Sequence, residues 1–254
     1  MSESAELRVI GLPGIPEVAP GDDLAELIAA ALARASLTLE PGDILVVTHK
    51  IVSKSEGRLV RLSTIEPSAM AAAWAAQYDK DARQVEVVLR ESKRIVRMDR
   101  GVLISETHHG FICANAAVDA SNVAADTVCL LPRDPDGSAA TLRDQLSTRF
   151  GVAPGVIISD SFGRAWRAGI VNVAVGVAGL APLSDYRGQQ DAAGYELHVS
   201  ILAVADELAA AAELVMNKLD ARPVALIRGY ASSTGSRHGT GADLVIDAAR
   251  NLFP

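Results

Sequence analysis

The chain has 254 residues, 49% hydrophobic, 22% charged and 4% aromatic, with a formal net charge of -7. A chain of this length buries about 70–75% of its unfolded surface without staples, and its two cysteines, Cys113 and Cys129, lack CxxC spacing, so a disulfide scaffold is excluded and structural zinc is disfavoured. The acidic balance argues against non-specific binding to nucleic acid or anionic lipid, and with no signal-peptide core in residues 1–9 and no run of 18 apolar residues, a cytoplasmic protein with reduced, buried thiols is expected.

Residues 22–35 place Leu24, Leu27, Ile28, Ala31 and Leu32 on one helical face behind an Asp22 cap. After the turn Pro41-Gly42-Asp43, the β-branched run 44–48 reads as a buried strand, and the polar segment 49–58 follows its C-terminal end. Alanine dominates 68–76, and Val85, Val88 and Leu89 recur at helical spacing within 82–91, which predicts two helices with a break near Asp79. Strand-like runs follow at 95–98, 102–105, 111–114 and 127–131, then a Pro/Asp/Gly turn at 132–137. A helix is expected over 138–150, with Leu142, Leu146 and Phe150 on a stripe, and a buried strand over 155–159. The Gly-punctuated run 171–180 reads as a strand with close backbone approach. Residues 201–219 carry Leu208, Ala212, Val215 and Leu219 along a helical face, 223–228 is a strand, and the polar stretch 232–241 precedes a last helix. Within that stretch the glycines of 235–241 read as a mobile loop rather than a phosphate cradle. Strands and helices mix without a regular repeat, so the expected fold class is α+β rather than doubly wound α/β. Residues 1–254 are read as one domain, with a division into two lobes left open.

Neither GxxxxGK[ST] nor GxGxxG is present, which removes support for a P-loop NTPase and a Rossmann dehydrogenase, and GxSxG and HExxH are absent too. The segment Ser159-Asp160-Ser161-Phe162-Gly163-Arg164-Ala165-Trp166-Arg167, after a buried strand, combines hard oxygen donors suited to Mg²⁺ or Mn²⁺ with two guanidinium groups that can fork onto phosphate or carboxylate. Its plain alternative is a solvated Asp-Arg pair in a turn. Asp119, with Asn122 three residues on, reads alone as a helix cap. Paired with Asp160 it becomes a candidate two-carboxylate metal site. Lys50, Lys54 and Arg58 follow a strand and make a local positive pocket suited to polyphosphate, with a solvated charged face as the alternative. His198 and His238 read as structural or surface residues, whereas His109, beside Gly110, either orients a substrate or fills a turn.

In order along the chain these segments are Ile15-Pro16-Glu17-Val18, Pro20-Gly21-Asp22-Asp23-Leu24, Lys50-Ile51-Val52-Ser53-Lys54-Ser55-Glu56-Gly57-Arg58 and His109-Gly110-Phe111. Asn115 with Val118-Asp119-Ala120-Ser121-Asn122-Val123, Asp134-Pro135-Asp136-Gly137-Ser138, Asp160 to Arg167, Ala205-Asp206-Glu207-Leu208 and Arg228-Gly229 complete the set. The set resembles the GTP-dependent coenzyme F420-0:L-glutamate ligases, also called γ-glutamyl ligases, over nearly the whole chain. Each motif is weak alone and specific in the ordered set.

The resemblance implies a family-specific α+β fold, usually dimeric with the site near the subunit contact. It implies that Asp119, Asp160 and Ser161 bind Mg²⁺ or Mn²⁺ and that Ile15, Pro16, Glu17, Val18, His49, Lys54 and Asn122 line a GTP site, with K⁺ as a further ion. The substrates implied are coenzyme F420-0, L-glutamate and GTP. Two positions depart from the usual pattern: the family often has Thr where Ser161 stands and a small polar residue where His49 stands. Residues 216–223 match a nucleotide-contacting loop of the family but are shorter and lack its glycines.

A ligase of this kind makes a carboxylate electrophilic by phosphorylating it, after which the glutamate amine expels phosphate, so no side-chain nucleophile is required. In that reading Arg164 and Arg167 join Lys54 in positioning donor and acceptor, and Glu106 or His109 is the candidate base. Three rivals stay open: a paralogue acting on another carboxylate, a GTP-binding sensor without turnover, and a metal-dependent phosphohydrolase.

Overall fold

The computed structural model describes residues 5–231 and 238–251. The chain enters through β1 (Arg8–Gly11), a strand too short to stand out in the sequence, and runs extended to α1 (Leu24–Arg34). Asp23, not Asp22, caps α1: Asp23 accepts the Glu26 amide at 3.0 Å, while Asp22 turns back to accept the Ala19 amide at 2.8 Å. Strand β2 (Ile44–Thr48) coincides with its expected run and passes directly into α2 (His49–Ser55), so the polar segment after it is largely helical. After β3 (Leu59–Arg61), helices α3 (Ala69–Tyr78) and α4 (Ala82–Arg90) are separated at Asp79, whose left-handed φ of 52° ends α3. Strands β4 (Ser92–Asp99), β5 (Val102–Thr107) and β6 (Ile112–Ala114) form an antiparallel sheet, and β7 (Thr127–Cys129) pairs with β3.

Helix α5 (Pro135–Phe150) starts inside the expected 132–137 turn. Asp134 accepts the Gly137 amide at 2.9 Å, and Pro135 sits in the first turn, where a missing N–H costs nothing. Strands β8 (Gly155–Arg164) and β9 (Arg167–Ala178) form a long hairpin, β10 (Ser184–Asp185) pairs with β11 (Ile201–Leu202), and α6 (Val204–Met216) leads to β12 (Val224–Arg228). Asn217, at φ 55°, ends α6 and leaves Leu219 exposed beyond it, not on the helix face as the periodicity suggests. The expected last helix and Gly-rich loop fall partly outside the described residues. Within them, Gly241–Leu244 and Ala248–Arg250 form short 3₁₀ turns.

The central sheet has the order β1-β12-β2-β8-β9, with β2 and β8 parallel and every other neighbour antiparallel. Alternation along its strands builds a core on each face. Leu45, Val47, Val156 and Ile158 pack with Ile28 of α1 and Leu142 and Leu146 of α5. Val46 and Ile157 pack with Leu208 and Ala212 of α6. The chain between α2 and α5 makes a third core in which Ala71, Val85, Val88, Leu103 and Val128 meet. Gly176 is required where β9 passes under α5, because a Cβ there would come within 2.3 Å of the Pro135 carbonyl oxygen. The architecture is α+β, as expected. Among the described residues no helix is long and apolar enough to cross a membrane. Cys113 and Cys129 are buried and unpaired with each other. Burial, aided by the Asp160 charge, pushes the Cys113 thiol up to about 12, so it stays protonated and unreactive.

Candidate active site

Thr48 of β2 lies opposite Ser159 of β8 in parallel register, so the next residues, His49 and Asp160, meet at the C-terminal edge of the sheet. There the two paths diverge. Strand β2 gives way to α2, while β8 continues with β9 as a two-stranded ribbon. The segment expected as a loop after 155–159 is therefore a hairpin strand, because β9 supplies ladder partners that β2 no longer does. The C-terminal edge of parallel strands is where open sheets present ligands. A bulge marks the departure point: pairing steps from Ile158–Gly176 to Ser159–Ala174, leaving Val175 extra, and Asp206 of α6 accepts the Ala174 amide at 2.9 Å. Bulges bend a ribbon and re-aim its side chains.

Because Ile158 faces the α1/α5 core and Ile157 the α6 core, alternation directs Asp160 toward the first face and Ser161 toward the second. The contacts agree. Asp160 Oδ1 lies 3.3 Å from His49 Nε2, whereas Ser161 Oγ donates to Asn172 Oδ1 at 2.6 Å and accepts from Lys218 Nζ. Asn172 in turn donates through Nδ2 to Glu213 Oε2 at 2.9 Å, which fixes the orientation of its amide. Asn172 and Glu213 escape motif reasoning, and Lys218 enters it only as part of the 216–223 loop match. The available signal was that Asn172 is the lone polar side chain in the apolar run 171–180.

Helix α2 brings the cations. Lys50 Nζ lies 2.7 Å from Asp119 Oδ2 and donates to Ser121 O at 3.1 Å. Asp119 is not a helix cap: its backbone bridges Cys129, and its Oδ1 accepts the Ser121 amide at 2.6 Å to close a turn. Burial pushes the Asp119 carboxyl up, but the bonds from Lys50 and Ser121 outweigh it and leave the group below the usual carboxylate range. Lys54 is buried and pairs with exposed Glu17, and Arg58 holds Glu91 at 2.8 Å. The expected positive pocket is thus a row of cations each answered by a carboxylate.

Glu17, Val18, Lys54, Arg61 and Val123 border a cleft of about 310 Å³. The cleft unites the 15–18 segment, where Ile15 is buried and Pro16 exposed, with Lys54 and the neighbour of Asn122, an exposed turn residue at φ 55°. A larger cavity of about 480 Å³ lies where the ends of α1, α2 and α5 meet, with Asp22, Asp23, Glu56 and Asp134 in its wall and only Arg133 opposing them. It contains none of the expected site residues, and its acidic wall suits a phosphate poorly.

Arg164 and Arg167 stand at the exposed tip of the ribbon, where Arg164 donates to Ala168 O at 2.8 Å. His109 places Nε2 at 2.9 Å from Pro132 O and 3.1 Å from Arg133 O, so Nε2 donates to these carbonyls, while the buried Nδ1 has no hydrogen-bond partner. Its ring stacks on Phe111 at 6.0 Å, and Phe111 meets Phe162 edge-on at 6.2 Å, which links it to the ribbon beside Ser161. Glu106 is held by Lys93 at 2.7 Å and Arg94 at 2.6 Å, and those bonds keep its carboxyl below the usual range. A base needs a pKa near the working pH. Glu106→Gln is therefore expected to leave turnover nearly unchanged, and a loss of about 10²-fold, the contribution of a general base, would reinstate Glu106 in that role.

Among the described residues no three His, Cys, Asp or Glu side chains converge on one point. A cation here would find at most two such side chains together, which fits an ion that keeps water and takes phosphate oxygens and does not fit a closed zinc centre.

The model of the family described as F420-0:Gamma-glutamyl ligase matches residues 14–229. The chain is 48% identical over 225 residues to the coenzyme F420:L-glutamate ligase of Methanothermobacter thermautotrophicus, covering 88% of this chain and 89% of that relative. It is 48% identical over 224 residues to the protein of the same name from Methanopyrus kandleri, covering 88% and 87%. With that of Methanocaldococcus jannaschii it shares 39% identity over 256 residues, covering 100% and 99%.

Proposed function

The chain belongs to the F420-0:gamma-glutamyl ligase family, and from that membership and the site geometry we propose that it joins L-glutamate to coenzyme F420-0 in coenzyme F420 biosynthesis, using GTP. The observation that carries this reading is the approach of Asp160 to His49 at the edge of two parallel strands, with the next residue of α2, Lys50, paired to Asp119 and with Lys54 bordering the cleft beside residues 15–18.

In the proposed reaction a carboxylate oxygen of F420-0 attacks the γ-phosphorus of GTP, the bond to the β-phosphate oxygen breaks, and GDP leaves. The glutamate amine then attacks the acyl carbon, phosphate departs, and the amine proton passes to a base. A bound Mg²⁺ or Mn²⁺ would neutralise phosphate charge. Asp119 and Asp160 would hold it, and Ser161, on the other face of the ribbon, would offer its oxygen on the α6 side. Lys54 would hold nucleotide phosphate in place of Glu17, and Arg164 and Arg167 would steer the anionic substrates. His109, whose Nδ1 has no hydrogen-bond partner, is the stronger base candidate than the ion-paired Glu106. K⁺, a homodimer and a cytoplasmic setting complete the proposal by family analogy.

The test is mass spectrometry of F420-0 incubated with the protein, L-glutamate, GTP and Mg²⁺ or Mn²⁺. Glutamyl addition with matching GDP and phosphate release is expected. Release of phosphate without glutamylation would turn the reading toward a hydrolase or another acceptor, and GTP binding without turnover toward a sensor.

A further inference from the structure

His49 is 1% exposed, yet its Nε2 has no hydrogen-bond partner, although Asp160 Oδ1 is only 3.3 Å away. Its other ring nitrogen, Nδ1, lies 3.3 Å from the hydroxyl of Ser53, which is wholly buried. Ser53 meets Nδ1, so Nε2 is the ring atom left facing the Asp160 carboxylate oxygen. A buried ring nitrogen that faces a carboxylate oxygen without a hydrogen bond between them is a ready donor pair for a cation. The separation itself is informative. Two donor atoms each about 2.1 Å from one ion stand about 3.0 Å apart at octahedral angles and about 3.4 Å apart at tetrahedral angles. The observed 3.3 Å lies within that interval.

We propose that His49 Nε2 and Asp160 Oδ1 are joint ligands of the site's divalent cation, with Ser53 orienting the imidazole, so that this chain favours Mn²⁺ over Mg²⁺. An imidazole ligand suits transition-metal ions, whereas Mg²⁺ takes oxygen donors almost alone. A hydrogen-bond partner on the far ring nitrogen is the usual companion of a metal-bound histidine. The inference rests on the ligase reading only in placing the ion at Asp160, and it adds a nitrogen ligand and a metal preference. His49→Gln keeps a polar side chain of similar length, and its circular dichroism and melting temperature would verify that it folds.

The experiment is pulsed electron paramagnetic resonance on Mn²⁺ with GDP and protein carrying ¹⁵N-histidine, together with Mn²⁺ and Mg²⁺ affinities of the wild type, His49→Gln and Asp160→Asn. Expected are ¹⁵N modulation in the wild type that vanishes in His49→Gln, a Mn²⁺ affinity about tenfold or more weaker in that variant, and a smaller change for Mg²⁺. If Mn²⁺ binds in an Asp160-dependent way without ¹⁵N modulation, a proton rather than the metal lies between the two groups, and the inference fails while the ligase reading stands. If Mn²⁺ binding is indifferent to Asp160, the metal-site assignment and the inference fall together.

Discussion

Asp160→Asn is expected to lower the rate of glutamate addition by about 10³-fold, or about 4 kcal/mol of transition-state stabilisation, the scale on which a cation stabilises a phosphoryl group. The substitution keeps the shape and the oxygen that accepts the Ser161 amide at 2.7 Å, so the ribbon loses no hydrogen bond on that account. What it removes is the negative charge next to His49 at the sheet edge. Quantifying glutamylated F420-0 by mass spectrometry, alongside the melting temperature of the variant, separates the two effects. A melting temperature within a few degrees of the wild type and a collapse of turnover is the expected pair. Ser161→Ala should cost less, because Ser161 projects from the opposite face and offers a neutral oxygen. If Asp160→Asn retained more than about a tenth of the activity, the carboxylate would be contributing no more than a single ordinary hydrogen bond, and the metal assignment would be wrong.

The sequence carries the site in its motifs but not in its geometry. The run 44–48 and the helices flanking Asp79 were legible because their apolar periodicities are local and are broken by strong punctuation. Strand β1 and the distal half of β8 were not, since their partners, β12 and β9, lie far along the chain or run on after an apolar stretch has ended. Asp160 looked like a loop residue for that reason. Its neighbour Ser161 looked like part of one donor set with it, because adjacency in sequence conceals the opposite directions that a strand imposes. Lys50, Lys54 and Arg58 looked like an open basic pocket because Asp119, Glu17 and Glu91, which pair with them, come from three separate segments. Polar pairing across such distances leaves no periodic trace, so the grouping of Asp119 with Asp160 came from residue type, and the addition of Lys54 from the family resemblance.

Arg228→Leu should produce the largest loss of stability. Arg228 grips Asp43 with a fork, Nε to Oδ1 at 2.8 Å and Nη2 to Oδ2 at 2.7 Å, and also donates to Thr38 O at 2.8 Å. Asp43 is 1% exposed and, among the described residues, otherwise has only the Glu40 amide on its carboxylate, at 2.8 Å. Removing the guanidinium strands a buried charge, which costs about 3–5 kcal/mol. Arg228 keeps 19% of its side chain exposed, so the lower end, about 3 kcal/mol, is expected. For a chain of this size that lowers the melting temperature by about 6–12 °C. The Asp43 hydrogen bonds raise the Arg228 pKa above its already high value, so the clamp does not titrate off in the neutral range. In an Asp43→Asn background the same Arg228→Leu change should cost much less, because no buried charge is left behind, and equal losses in both backgrounds would show that the arginine acts by packing alone. The position of the clamp makes the result diagnostic. Asp43 directly precedes β2, whereas His49 follows it, so the clamp and the site stand at opposite ends of one strand. Glutamylation per folded molecule, measured well below the melting temperature, should therefore be unchanged in Arg228→Leu, the reverse of the pattern expected for Asp160→Asn.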